Sequence, residues 1–256
     1  VDMSAQPIRF QAARGPGAQA AAPRPLDEAW YPVEASGHVA RGQVLQAHLH
    51  GLELAVWRSE AGALEVWEDR CPHRSVRLSL GFVAGEELVC RYHGWRYGRD
   101  GHCTAVPSSA GGAATGSACA RTYLSRERQG LVWVSLSYTP PGDPPMLPAE
   151  ARPARSFTVD ADASALQASA AGIGLLPGPD PGPDPTIWQL PDTGPAGWLV
   201  LQPMQPGVAG IHLLQVPDQP ASGAAPVSRQ DGAGHLSGRV ASLVAAWVAA
   251  STAKAA

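Results

Sequence analysis

The sequence predicts a mainly β protein, with an all-β part over residues 30–138 and a smaller α+β part over 155–256. Three observations carry this. From residue 30 onward, short runs of alternating apolar and polar residues recur between Gly, Ser and Glu-Ala-Gly breaks. Gly (28) and Pro (25) make up about a fifth of the 256 residues, which favours turns over long helices. Clear helical periodicity is confined to the C-terminal end.

Residues 1–29 are small and polar, with Gly15-Pro16-Gly17 and an Ala-rich stretch at 18–22. They read as a flexible extension, with Met3 as the natural start. The runs at 31–34, 43–48, 52–57, 64–67, 88–90, 95–97 and 131–136 are rich in Val, Leu, Trp and Tyr and alternate with period two, as half-buried strands do. Residues 139–154 open on Thr-Pro-Pro-Gly-Asp-Pro-Pro and read as a Pro-rich linker. A strand is expected at 155–159 and a proline-stiffened spacer at 177–185. Three more strands are expected at 186–190, 197–202 and 210–216. Leu236, Val240, Leu243, Val244 and Val248 recur at helical spacing, which predicts a helix over 236–253.

Composition excludes several classes. With 45% hydrophobic and 16% charged residues the chain can bury a core, so wholesale disorder is ruled out. A net charge of −3 disfavours nucleic-acid binding. The longest helical apolar stretch, 241–250, is too short to span a membrane. Four cysteines are too few for a disulfide scaffold, and the N-terminus shows no secretory pattern, so a cytoplasmic protein is expected.

The chemistry concentrates in Arg70-Cys71-Pro72-His73-Arg74 and Cys90-Arg91-Tyr92-His93-Gly94-Trp95. Cys-x-His, sixteen residues, then Cys-x-x-His gives two loops with one thiolate and one imidazole each. Structural zinc sites usually pair like ligands on each knuckle. A [2Fe–2S] cluster with both cysteines on one iron and both histidines on the other suits mixed pairs, because two such loops can straddle two irons. Cys71, His73, Cys90 and His93 are the candidate cluster ligands. Arg74, Gly94 and Trp95 are expected around them, with Trp95 as a shield.

Through Cys71-Pro-His-Arg74 and Cys90-Arg-Tyr-His-Gly-Trp-Arg-Tyr-Gly98, residues 30–138 resemble the Rieske domain of Rieske non-haem iron oxygenases, near the demethylase or phthalate-type branch. The resemblance implies a Rieske all-β domain, a Rieske-type [2Fe–2S] cofactor, and a truncated α+β C-terminal domain. Respiratory Rieske proteins have an extra cysteine in each loop. Here Val76 and Tyr92 stand at those places, which implies no loop disulfide, few polar donors to the sulfurs and a low potential.

The family's oxygenases hold a second, mononuclear iron on two His and a carboxylate. After His102 this chain has only His212 and His235, and neither follows an acidic residue at the expected spacing. The expectation is that 155–256 is a reduced remnant without that iron site and that the chain itself supplies no catalytic residue. His212 reads as a packing residue and His235 as exposed or at a helix start. A triad with Asp192 or Asp218 is the competing reading. The Arg residues at 70, 74, 77, 91, 96 and 99 read either as a basic docking rim or as partners of Glu86, Glu87 and Asp100. Cys103 and Cys119 read as small hydrophobes. His48 and His50, alternating in one run, read as sharing a strand face.

The expected function is that of an electron-transfer subunit. Its partners would be a flavin and iron–sulfur reductase and a mononuclear-iron oxygenase subunit, in a hetero-oligomer such as a trimeric or three-plus-three ring. A complete oxygenase with an atypical iron site, a free-standing Rieske ferredoxin and a zinc-stabilised interaction protein are the alternatives.

Overall fold

The computed structural model describes residues 29–109, 118–137, 142–178, 186–191, 197–216 and 238–253. The first strands are β1 (Tyr31–Ala35), β2 (Gln43–Leu49), β3 (Leu52–Arg58) and β4 (Leu64–Glu68). Four short strands follow, β5 (Phe82–Ala84), β6 (Glu87–Val89), β7 (Arg96–Gly98) and β8 (Cys103–Ala105), and then β9 (Thr122–Arg128) and β10 (Leu131–Ser135). They form a six-stranded antiparallel sheet, β1-β10-β9-β4-β3-β2, and a four-stranded sheet, β5-β6-β7-β8.

Period-two alternation sorts the side chains into separate cores. Leu54 and Val56 of β3, Val66 of β4 and Val132 and Val134 of β10 share one core. The alternate residues of β3 and β4, Ala55, Trp57 and Trp67, pack with Leu88 and Tyr97 of the small sheet. The alternate residues of β10, Leu131 and Trp133, join Trp30 in packing against the second half.

That half is a five-stranded sheet, β11-β15-β14-β13-β12. Its strands are β11 (Arg152–Val159), β12 (Leu176–Pro177), β13 (Ile187–Gln189), β14 (Gly197–Gln205) and β15 (Val208–Gln215). Two helices, α1 (Ala163–Ser169) and α2 (Gly238–Ala253), cover one face. Leu199, Leu201, Ile211 and Leu213 point to them and meet Leu166, Val240, Val244 and Trp247. Trp198, Val200 and Leu214 point the other way, to Trp30 and Trp133.

Several elements depart from expectation. The strand expected at 155 starts at Arg152, inside the stretch read as linker, because β11 is an edge strand that carries Pro153 beside a register shift. Helix α1 was not expected: seven residues are too few for a periodic signal, and Asp162 does not cap it but accepts the Gly207 N–H at 2.6 Å. His50 lies in the β2–β3 turn at φ 48°, so it does not continue the face of His48. It stands edge-on to Tyr31, with ring centroids 4.7 Å apart. The expected extension at 1–29 lies, except for residue 29, outside the described residues. So do most of the spacer at 177–185 and Asp192, Asp218 and His235.

Candidate metal centre

The four candidate ligands sit on two loops at one end of the small sheet. The first loop runs from β4 to a 3-10 turn at Leu78–Leu80, the second from β6 to β7. Both fold by the same hydrogen bonds. The Cys71 N–H donates to Val76 O (2.8 Å), and Ser75 N–H donates back to Cys71 O (2.8 Å). The Cys90 N–H donates to Trp95 O (2.9 Å), and Gly94 N–H donates back to Cys90 O (3.0 Å). In each loop the fourth residue past the cysteine takes a positive φ, 56° at Ser75 and 69° at Gly94. Glycine adopts that conformation without steric cost. A Cβ at Gly94 would also lie 3.1 Å from Pro107 Cγ.

The loops are pinned from below. Asp69, fully buried, accepts the Ser79 N–H at 2.7 Å and the Ser79 hydroxyl at 2.6 Å, which closes the base of the first loop. Gly81 lets the chain pass close against β6, where a Cβ would collide with Val89 O.

Cys71 and Cys90 are buried, His73 is half-buried and His93 is exposed. The two imidazoles turn Nδ1 to Nδ1 at 3.1 Å. Two nitrogens bound to one near-tetrahedral metal lie roughly 3–3.5 Å apart. The Cys71 and Cys90 thiols are also mutual neighbours. Paired thiols inside and paired imidazoles outside fit two metals side by side, each with two protein ligands, and this is the donor set of a [2Fe–2S] cluster with His₂ on one iron.

The surroundings tune those donors. Burial pushes the Cys90 thiol up, while N–H groups of Tyr92 and His93 act the other way. His73 is held below its usual range by its surroundings first, then by His93 and Arg74. The Trp95 indole stacks on His73 with centroids 4.4 Å apart and planes 6° apart, which covers one face of that ring. Tyr92 tilts over His93 at 3.9 Å. Arg74, next to His73, is exposed.

One residue was missed. Tyr97, fully buried, brings its hydroxyl 3.1 Å from Cys71 Sγ. Burial and the neighbouring thiol push its pKa up, so it stays a donor. The expectation of few polar donors to the sulfurs is therefore corrected at Cys71. The signal available was position: Tyr97 is the one buried residue of β7, between half-buried Arg96 and Gly98, and so faces inward. Cys103 packs beside the site with Val44 and Trp95, as a small hydrophobe does, whereas Cys119 is exposed.

In the second half, His212 is buried and engaged at both ring nitrogens. Gln202 Nε2 donates to His48 O at 2.7 Å, so its Oε1 accepts the His212 Nε2–H at 3.1 Å. Ser156 Oγ–H then donates to His212 Nδ1 at 2.8 Å. Burial lowers the pKa of His212 to about 4, Glu34 opposing and His38 assisting. Among the described residues no three His, Cys, Asp or Glu converge on one metal position. A dinuclear cluster needs only two protein ligands per iron.

Fold and site together define a β-sheet domain that presents the donor set of a [2Fe–2S] cluster. Residues 29–123 match the Rieske [2Fe-2S] domain, and the chain carries that domain. The oxidoreductase NdmD of Pseudomonas putida is 40% identical over 116 residues, 45% of this chain and 20% of that protein. The 4beta-methylsterol monooxygenase of Methylococcus capsulatus is 41% identical over 117 residues, 45% of this chain and 30% of that protein. The matched part thus spans a fifth to a third of these relatives' length. Among solved structures, dicamba monooxygenase superposes with a TM-score of 0.55 at 20% identity, over 74% of this chain and 76% of that one. A mutant of NdmA from Pseudomonas putida CBB5 with theobromine gives 0.60 at 19%, over 87% and 79%. The likeness in fold therefore runs past the Rieske domain into the second half. No helix among the described residues is long and apolar enough to cross a membrane.

Proposed function

We propose that this chain is the electron-transfer subunit of a multi-component Rieske oxygenase system, with Cys71, His73, Cys90 and His93 as the cluster ligands. A [2Fe–2S] group held there supplies a one-electron carrier. The observation that carries the reading is the convergence of paired thiols in the core and paired imidazoles at the surface. Tyr97 and the backbone donors hold negative charge on the sulfurs, Trp95 keeps water from one face of His73, and His93 presents an edge to a partner. Electrons would come from a flavin and iron–sulfur reductase and leave to a mononuclear iron on another subunit of a hetero-oligomer.

The same proposal divides the chain into a Rieske unit at 30–138, a connector from 139 that ends where β11 begins at Arg152, and a reduced catalytic-domain-like unit beyond it. The engagement of His212 by Ser156 and Gln202 supports it, since that histidine is committed to the frame. The extent of the structural match favours a second reading, a complete oxygenase. Iron and acid-labile sulfide per chain, with the electron paramagnetic resonance spectrum of the reduced protein, separate the two. Two irons, two sulfides and a low average g value are expected. A third iron on the chain purified alone would overturn the electron-transfer reading in favour of the oxygenase.

A further inference from the structure

The two ligand loops are held in place by different means. The second is the turn of a hairpin. β6 and β7 pair Leu88 with Tyr97 and Val89 with Arg96, so the ladder sets Cys90 and Trp95 side by side. Across it, Arg96 Nε and Thr104 Oγ both donate to the Glu87 carboxylate at 2.6 Å. The first loop has no ladder at its base. It leaves β4 in the six-stranded sheet and reaches β5 in the four-stranded sheet.

Three side-chain contacts close the first loop instead. Leu78, fully buried, plugs its end into the core beneath the ligands. Arg77 pairs with Glu53 of β3, but Arg77 is exposed, and exposed ion pairs contribute little. Asp69 is fully buried and accepts both the N–H and the hydroxyl of Ser79. Hydrogen bonds to a carboxylate are roughly twice as strong as neutral ones, and a buried carboxylate is costly to leave without them. Asp69 also has a fixed anchor. Its N–H donates to Glu53 O at 2.9 Å, and the turn before Glu53 is tied to the second half, where His50 N–H donates to Pro203 O (2.7 Å) and Gly51 N–H to Met204 O (2.6 Å).

Cys71 and Cys90 are each only 2% exposed, so a metal reaches them only when a loop moves. Moving the second loop breaks a strand ladder. Moving the first breaks side-chain contacts and relieves the positive φ of Ser75. We infer that the first ligand loop is a strap that opens to admit and release the metal centre, that the second is its preformed seat, and that Asp69 is the positioning residue that latches the strap through Ser79. This rests on the cluster reading above. Opening withdraws Cys71 and His73 together and leaves Cys90 and His93 in place.

The test uses the full chain with its cluster. Iron release from the dithionite-reduced protein to excess ferrozine is followed by absorbance, and hydrogen exchange is read by mass spectrometry on peptides covering each loop. In the wild type, the amides of 71–79 should exchange faster than those of 90–95. Ser79→Ala should speed iron release at least about tenfold and speed exchange in the first loop alone. Glu87→Gln, at the base of the second loop, should release iron at the wild-type rate. Val134→Ala truncates a fully buried side chain in a separate core and should lower the melting temperature, yet leave release near the wild-type rate, because local opening rather than global unfolding frees the metal. An unchanged rate in Ser79→Ala would overturn the latch. Faster exchange in the second loop, or release rates that simply track melting temperature across the variants, would overturn the strap. A wild-type chain without the Rieske resonance signal would overturn the cluster reading instead, so the two failures are distinguishable.

Discussion

At the scale of single residues, the two ligand loops repeat one hydrogen-bond scheme with different residues at its strained position. Ser75 sits at φ 56° where the second loop has Gly94. A non-glycine residue in the left-handed region costs about 1 kcal/mol, partly offset because glycine loses more freedom on folding. Ser75→Gly should therefore be neutral or stabilising, by up to about 1 kcal/mol in urea unfolding. Gly94→Ala should cost about 1–2 kcal/mol, since it adds strain and a contact with Pro107. Tyr97 makes a separate prediction. Its hydroxyl donates to a sulfur that gains negative charge on reduction, so Tyr97→Phe should lower the midpoint potential by about 40 mV, the one-electron equivalent of roughly 1 kcal/mol. Protein-film voltammetry measures it, and an unchanged potential would remove Tyr97 from the tuning set. The four candidate ligands were legible because metal chemistry fixes both residue type and spacing. Tyr97 was not, because a buried tyrosine on a strand looks the same in sequence whether or not its hydroxyl meets a sulfur.

At the scale of elements, legibility followed periodicity. Strands such as β3, β10 and β14 were found where expected because one face is apolar throughout. β11 was read short because Pro153 looks like a linker residue, and α1 was missed because it is only seven residues long. Alternation marked His212 as a packing residue, as it is, but did not reveal that Gln202 shares its buried face. Gln202 of β14 and His212 of β15 lie on the face that packs on the first half, and Gln202 ties that face to His48 O. The Gln202 carbonyl requires a proton on Nε2, and burial keeps Nδ1 unprotonated, where it accepts from Ser156. The pKa of His212 is lowered to about 4 in the folded chain against an ordinary 6.5. Between these values the unfolded chain binds a proton that the folded chain does not, so stability is full above pH 6.5 and declines as pH falls toward 4. The loss should reach about 3 kcal/mol. His212→Leu should be less stable at pH 7, since Ser156 and Gln202 lose their partner, and its stability should fall less steeply from pH 7 to 4.5 than that of the wild type. Parallel pH profiles for the two proteins would show that His212 titrates normally.

At the scale of the whole molecule, the two halves share a core that neither has alone. Trp30, Leu131 and Trp133 from the first half meet Leu147, Ile187, Trp198, Val200 and Leu214 beyond it. The Trp30 indole N–H also donates to Gly142 O at 3.1 Å, so the connector is tied to the first half as well. The sequence showed a composition break near residue 139 and strands on both sides. It did not show that the outward face of β10 would be buried, because Leu131 and Trp133 alternate with Val132 and Val134 in a run apolar on both faces. Such a run signals burial on both sides without naming what covers the second. The physical consequence is a test of separability. A large aromatic side chain buries about 150–250 Å², so uncovering two tryptophans and a leucine at about 25 cal/mol per Å² removes several kcal/mol, comparable with the whole stability of a small domain. Residues 29–138 expressed alone should thus melt well below the full chain or aggregate through the exposed β10 face, even with the ligand loops complete. Replacing Leu131 by Lys and Trp133 by Thr in that fragment should restore solubility by making the uncovered face polar, and the same changes should destabilise the full chain. Were the unmodified fragment to melt at the temperature of the full chain, the shared core would contribute nothing to the first half. The second half would then be an appended unit rather than a support for the domain that carries the ligands.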